Sequence, residues 1–250
     1  MNDDIDISEE GGVRYLHFGP DSIQGAMRIR KPDALELDYT REMMVGLLLR
    51  DAPWPARVLL IGLGAGSLAK FIHRHVPQAH TTAVEILPEV HAVACQFFRL
   101  PDEDERLRVV IGDGAAFVAE DETRWDLIAV DGFDSKASAG ALAGQPFYEA
   151  CRARLSDRGL LTVNLFGQMR GFKAQLQRLR KAFGGRVLAL PAVDSGNVVA
   201  FATAGEAVEL SLATLRERAK ALKAATGLDL APTIRRLAQS GNLPDERVRL

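Results

Sequence analysis

Cysteine is scarce in this chain. Only Cys95 and Cys151 occur in 250 residues, and they form no CxxC pair. That excludes a disulfide framework. No His/Cys/Asp set has zinc spacing, so no metal is expected. An excess of one charge is also missing. The 31 basic and 33 acidic side chains leave a net −2, so no bulk attraction to nucleic acid or to an anionic membrane is expected. No apolar run approaches the ~20 residues of a membrane span. The first ten residues, MNDDIDISEE, are acidic where a secretory leader would be basic and then apolar. These absences lead to the expectation of a reduced, cytoplasmic protein. What is present is ordinary globular material, 47% hydrophobic and 26% charged. A chain of this length buries about 70–75% of its unfolded surface and needs no disulfide or metal to fold.

The acidic residues 1–10 read as a frayed tail. From Val13 to Tyr39, apolar positions alternate in VRYLHF, IQGAMRI and ALELDY, with Gly, Pro and Asp between them. This is the pattern of a small antiparallel β unit. Residues 41–50 have helical spacing and end before Pro53-Trp54-Pro55. The run RVLLIGLG is too short for a helix and apolar throughout, as a parallel strand buried on both faces must be. From there strands and helices alternate through five β–α units. A last antiparallel pair, RVLALPAV and NVVAFATA, is joined by DSG. The expected fold is α/β, a seven-stranded doubly wound sheet of the S-adenosylmethionine-dependent methyltransferase type. The small N-terminal unit takes residues 1–50, the nucleoside-binding domain 51–205, and a helical extension 206–250. In the extension, Leu212, Leu215, Ala219 and Leu222 form one stripe, Gly227 is a C-cap and Pro232 opens a second helix. Its expected role is packing or an oligomer contact.

The chemistry gathers at strand ends. Gly62, Gly64 and Gly66 lie between the first central strand and its helix, where glycine lets backbone approach a ligand closely. A dinucleotide loop wants its third Gly or Ala where Ser67 stands, so an adenosyl ligand ranks ahead of NAD. Glu85 ends the second strand, where an acid can accept both ribose hydroxyls. Asp113, followed by Gly114, ends the third strand, and Asp131 ends the fourth with Asp134 three residues on. Each aspartate singly is an ordinary turn or cap residue. Jointly, at successive strand ends, they mark a site.

These motifs make the sequence similar to the spermidine synthase (polyamine aminopropyltransferase) family over about residues 13–205. Gln24 stands at that family's Tyr-Gln motif and Glu42-Met43 at its Glu-Met. Gly62–Gly66 match its Gly-Gly-Gly-Asp-Gly loop and Val84-Glu85-Ile86 its Val-Glu-Ile-Asp. Gly112-Asp113-Gly114 match its Gly-Asp-Gly. Asp131-Gly132-Phe133-Asp134 match its Asp-Ser-Ser-Asp, and Phe147-Tyr148-Glu149 its Phe-Tyr-Glu after the gate loop. The resemblance implies transfer of an aminopropyl group from decarboxylated S-adenosylmethionine to an amine or polyamine. By resemblance Asp131 is the proton acceptor and Asp134 holds the acceptor amine. Gln24, Glu85, Asp113 and the loop glycines hold the nucleoside, and Tyr148 belongs to the acceptor side. The resemblance and the apolar terminal faces also lead to the expectation of a homodimer.

The departures fall on the substrate side. The family's loop Asp is Ala65 here, its Tyr-His is Thr40-Arg41, and the Pro after its second Asp is Ser135. An inward Arg41 would repel a dicationic diamine and favour a carboxylate. Intact S-adenosylmethionine therefore stands as an alternative donor, with methyl or aminocarboxypropyl transfer as the alternative reaction. A binding protein without turnover is a third reading. The opposed reading of Arg41 points it to solvent.

Overall fold

The computed structural model describes residues 5–19, 23–132, 139–193, 195–241 and 243–250. Its N-terminal sheet is antiparallel and three-stranded: β1 (Ile5–Glu10), β2 (Val13–Phe18) and β3 (Ile23–Arg28), in that order. The expected frayed tail is therefore partly a strand. Ile5 and Ile7 pack on Leu16, Phe18 and Met27, while Asp6 and Glu9 keep an edge strand charged and unattractive to further pairing. The segment ALELDY is not a strand. Its end belongs to α1 (Asp38–Met43), which runs into a 3-10 turn over Met44–Leu48.

The large sheet follows as the apolar runs indicate. Its strands are β4 (Arg57–Ile61), β5 (His80–Glu85), β6 (Leu107–Ile111), β7 (Trp125–Val130), β8 (Leu155–Phe166), β9 (Val187–Ala189) and β10 (Asn197–Ala202). The order is β6-β5-β4-β7-β8-β10-β9, with β10 antiparallel to both neighbours. Helices α2 (Ser67–His75), α3 (Pro88–Phe97), α4 (Gly114–Glu120), α5 (Gln145–Arg154) and α6 (Phe172–Ala182) connect and cover it. The sequence order reverses at β4, whose partners are β5 and β7. Ligands of open α/β sheets bind beyond the strand ends at such a point.

Alternation along β4 shows why a short apolar run is a central strand. Val58 and Leu60 enter one core layer, with Met43, Met44 and Phe201. Leu59 and Ile61 enter the other, with Tyr148, Leu161 and Leu179. The C-terminal part contributes to the first layer. It comprises β11 (Glu209–Ser211), α7 (Leu212–Thr226), α8 (Ala231–Gln239) and β12 (Arg247–Arg249). Leu212, Leu215, Ala219 and Ile234 are buried there. Gly227 closes α7 in a left-handed conformation, and Pro232 lies in the first turn of α8. No helix among the described residues is long and apolar enough to cross a membrane.

Candidate active site

A cavity of about 650 Å³ opens at the carboxyl ends of β4, β5 and β7, roofed by β3. Two glycines make this closeness possible. Gly62 has φ of +94°, and a Cβ there would fall 2.2 Å from the backbone oxygen of Asp131. The Asp131 amide donates to the Ile61 carbonyl at 2.8 Å, so the ends of β4 and β7 are clamped together. Gly64, at φ +52°, would place a Cβ 3.1 Å from the Gln24 carbonyl and so lets β3 lie over the loop. Ser67 Oγ donates to the Ala26 carbonyl at 3.2 Å and fixes the same contact.

The predicted nucleoside residues mostly converge. Gln24, Gly62, Gly64, Glu85, Asp113 and Gly114 all line the cavity. Glu85 also braces it: Oε2 accepts the Leu63 amide at 2.9 Å and Oε1 the Leu87 amide at 3.0 Å. Each oxygen keeps acceptor capacity for a ligand hydroxyl. Asp113 caps α4 through Oδ1, which accepts the Ala116 amide at 2.8 Å. It is therefore both the helix cap that the residue type suggests and a wall of the cavity. Gly66 departs from expectation. It is the N-cap residue of α2, faces Leu100, and does not line the cavity.

Asp131 also lines the cavity. Its Oδ1 accepts from Asn164 Nδ2 at 2.8 Å, and it accepts a second bond from the Tyr39 hydroxyl. Burial pushes its carboxyl above the usual range, while the bonds from Asn164 and Tyr39 oppose that shift. Burial, and then the charge of Asp131, push the Tyr39 hydroxyl well up, so Tyr39 stays a neutral donor. Asn164 is held in turn. Its Oδ1 accepts from Asn197 Nδ2 at 2.9 Å, and Asn197 Oδ1 accepts from Ser195 Oγ at 2.6 Å. Tyr39, Asn164, Ser195 and Asn197 all line the cavity, and none was singled out from sequence. A signal for Tyr39 existed, since it stands one place before the position compared with the family's tyrosine.

Two expected substrate residues lie elsewhere. Arg41 donates to the Leu35 carbonyl at 2.7 Å, the Glu36 carbonyl at 2.8 Å and Asp38 Oδ1 at 3.0 Å. Two residues beyond Tyr39 on one helix, it points around the far side, and the carbonyls of the segment leading into that helix take its donors. Tyr148 is fully buried between α5 and α6, where its hydroxyl accepts from Gln175 Nε2 at 3.0 Å. Asp134 and Ser135 lie outside the described residues. Ala65 lines the cavity yet is 2% exposed, packed under β3. A Cβ on Gly25 would fall 2.6 Å from its own. Among the described lining residues there are three carboxylates, Glu85, Asp113 and Asp131, and no Lys, Arg or His. That is a field for a cation.

Comparison with known proteins gives the same picture. The pattern of the "Spermine/spermidine synthase domain" matches residues 37–187. A polyamine aminopropyltransferase of Chromobacterium violaceum is 39% identical over 237 residues, covering 95% of this chain and 90% of that protein. A probable spermidine synthase from Corynebacterium glutamicum superposes with a TM-score of 0.72 at 19% identity, over 90% of this chain and 91% of that one. Human methyltransferase-like protein 13, solved with SAH, superposes at 0.68 and 27% identity, over 77% of this chain and 93% of that one.

Proposed function

Because this chain belongs to the spermine/spermidine synthase family, we propose that it transfers an aminopropyl group from decarboxylated S-adenosylmethionine to a primary amine of a di- or polyamine. The observation that carries this reading is the set of three carboxylates facing the cavity with no cation among the described lining residues. Both reactants are cations, and each leaves water more readily into such a field. Arg41, the main objection to a dicationic acceptor, is turned onto the segment that leads into its own helix.

In this mechanism Glu85 and Gln24 hold the nucleoside sugar side, and Asp113 receives the adenine amino group. The acceptor amine gives a proton to Asp131 and is then neutral. Its lone pair attacks the methylene carbon next to the sulfonium. The carbon–sulfur bond breaks as the carbon–nitrogen bond forms, and the sulfur takes the bonding pair and leaves as neutral methylthioadenosine. A carboxylate with a raised pKa is a better proton acceptor than an ordinary one near neutral pH. The fixed distance between loop and Asp131 supplies orientation. Asp134 is assigned to the acceptor by resemblance.

A second reading is methyl or aminocarboxypropyl transfer from intact S-adenosylmethionine. Ala65 favours it, since this position carries no acid to meet the donor's ammonium. Purified protein is given each donor with a panel of amines, and the nucleoside product is identified. Methylthioadenosine formed from the decarboxylated donor, together with a lengthened amine, is the expected result. S-Adenosylhomocysteine from the intact donor would replace this reading with methyl transfer. Methylthioadenosine from the intact donor, with an aminocarboxypropylated amine, would replace it with aminocarboxypropyl transfer. Tight nucleoside binding without any product would leave only a binding protein.

A further inference from the structure

We propose that Asn197 is a positioning residue for the proton-accepting carboxylate, acting on Asp131 through Asn164. The inference rests on the reading of Asp131 given above. Four side chains from three places in the fold form one directed chain of hydrogen bonds. Ser195 Oγ donates to Asn197 Oδ1 at 2.6 Å, Asn197 Nδ2 to Asn164 Oδ1 at 2.9 Å, and Asn164 Nδ2 to Asp131 Oδ1 at 2.8 Å. They run from the start of β10, across its neighbour β8, to the residue after β7.

The direction of the chain is its content. An asparagine amide presents an acceptor on one side and a donor on the other, and half a turn about its last torsion exchanges them. An ionised carboxylate only accepts, so Asn164 supports Asp131 only with Nδ2 toward it. Asn164 is 4% exposed, and no water is needed to fix that choice. Asn197 fixes it, because its donor meets Asn164 Oδ1 and is served only by an acceptor. Asn197 Oδ1 in turn accepts from the exposed Ser195 hydroxyl, a group that can donate or accept, so that outer link is the weaker one. Such a chain polarises along its length, which strengthens the last bond.

The consequence falls on ionisation. Burial raises the Asp131 pKa, and the Asn164 bond is the first of the two interactions that oppose it, ahead of the Tyr39 hydroxyl. Tyr39 faces Asp131 from α1 and Asn164 faces it from β8; the loop at Gly62 presents backbone only. Among the described lining residues the other carboxylates are Glu85 and Asp113, and none is cationic. Without Asn197 the Asn164 amide is free to turn its oxygen to the carboxylate. Asp131 then takes up its proton at a higher pH, and below that pH it is already protonated and cannot receive one from the amine.

The test separates this inference from the parent reading. The Asp131 carboxyl is titrated by carbon NMR in the protein without substrate, in wild type, Asn197→Leu and Ser195→Ala. Asn197→Leu is expected to raise the midpoint by about one pH unit and Ser195→Ala by less. With donor and acceptor, kcat of Asn197→Leu is expected to fall about tenfold below that midpoint and to recover above it, with the acceptor KM changed far less. An unchanged midpoint in a variant that still binds methylthioadenosine overturns the proposal. If Asn197→Leu does not fold, wild type decides: the side-chain amides of Asn164 and Asn197 must both shift with the Asp131 midpoint, and independence of either one overturns it. A wild-type protein with no turnover defeats the parent reading, and the titration still tests the relay.

Discussion

Arg236 on α8 donates to Glu42 on α1, and Glu42 lies three residues along that short helix from Tyr39, the hydrogen-bond donor to Asp131. Thr233 reaches the same Glu42 oxygen at 3.2 Å. The C-terminal helices therefore do more than cover apolar surface. They hold the helix that carries a cavity residue.

Glu42 is 2% exposed, and its second oxygen has no hydrogen-bond partner among the described residues. Arg236→Ala would leave a buried carboxylate uncompensated. Since Arg236 is about one-third exposed, the expected loss is at the low side of buried pairs, about 2–3 kcal/mol in a urea titration. Replacing both partners by leucine is expected to recover most of it, because the pair is incompletely satisfied. A double variant no more stable than the single one would contradict this.

Asp131→Asn separates function from stability. Transfer is expected to fall by about 10²–10⁴-fold, with methylthioadenosine binding nearly intact. The fold raises the Asp131 pKa above that of the unfolded chain. Stability from that group is therefore present below the unfolded value and lost as pH rises through the folded one. Above the unfolded value the buried carboxyl is a cost, so at pH 7 the variant is expected to melt higher than wild type, with the difference shrinking toward pH 4.

Arg41→Gln tests the corrected placement. The wild-type guanidinium serves the Leu35 and Glu36 carbonyls, so the ratio of activities with decarboxylated and intact donor is expected to change less than about twofold. A large shift toward the decarboxylated donor would put Arg41 back beside the substrate. The melting temperature is expected to fall slightly, as carbonyl contacts are lost.

Lys70 carries a pH dependence unrelated to catalysis. It is 3% exposed, donates to the Phe98 carbonyl at 2.7 Å, and has its nitrogen 6.0 Å from the Phe98 ring centroid. Burial brings its pKa down to about 7, with Arg99 in the same direction and Asp33 opposing. Above that value the unfolded chain binds the extra proton until about 10.4. Stability is therefore expected to rise with pH across this window, by up to about 1 kcal/mol per unit. Lys70→Met should flatten the rise between pH 7 and 9, and equal slopes in the two proteins would refute the assignment.

Much of this was legible because it depends on runs and spacings. Strands buried on both faces, the glycine loop and the strand-end acids are local patterns, and most converge on one cavity. What was missed depends on angle or on distant chain. Two residues on a helix are about 200° of rotation, which decided Tyr39 over Arg41. Tyr148 follows a motif faithfully but points into the layer between α5 and α6. Asn164 and Asn197 read as ordinary strand residues until β8 and β10 are laid side by side. The acidic edge strand β1 carries no signal of its own beyond Ile5 and Ile7.

The contact between Gly62 and the Asp131 carbonyl has one more consequence. No side chain can enter there, and parallel pairing of Ile61 with Val130 holds both strand ends. On the proposed mechanism, the span from leaving group to base is thus set like a fixed jaw, by sheet rather than by loop. On the same mechanism, the opposite jaw is what α1 and the β10 side present to the acceptor. A laboratory search for variants with new amine preferences belongs there, with libraries at Thr40 and Ser195, and with the β4–β7 clamp left untouched.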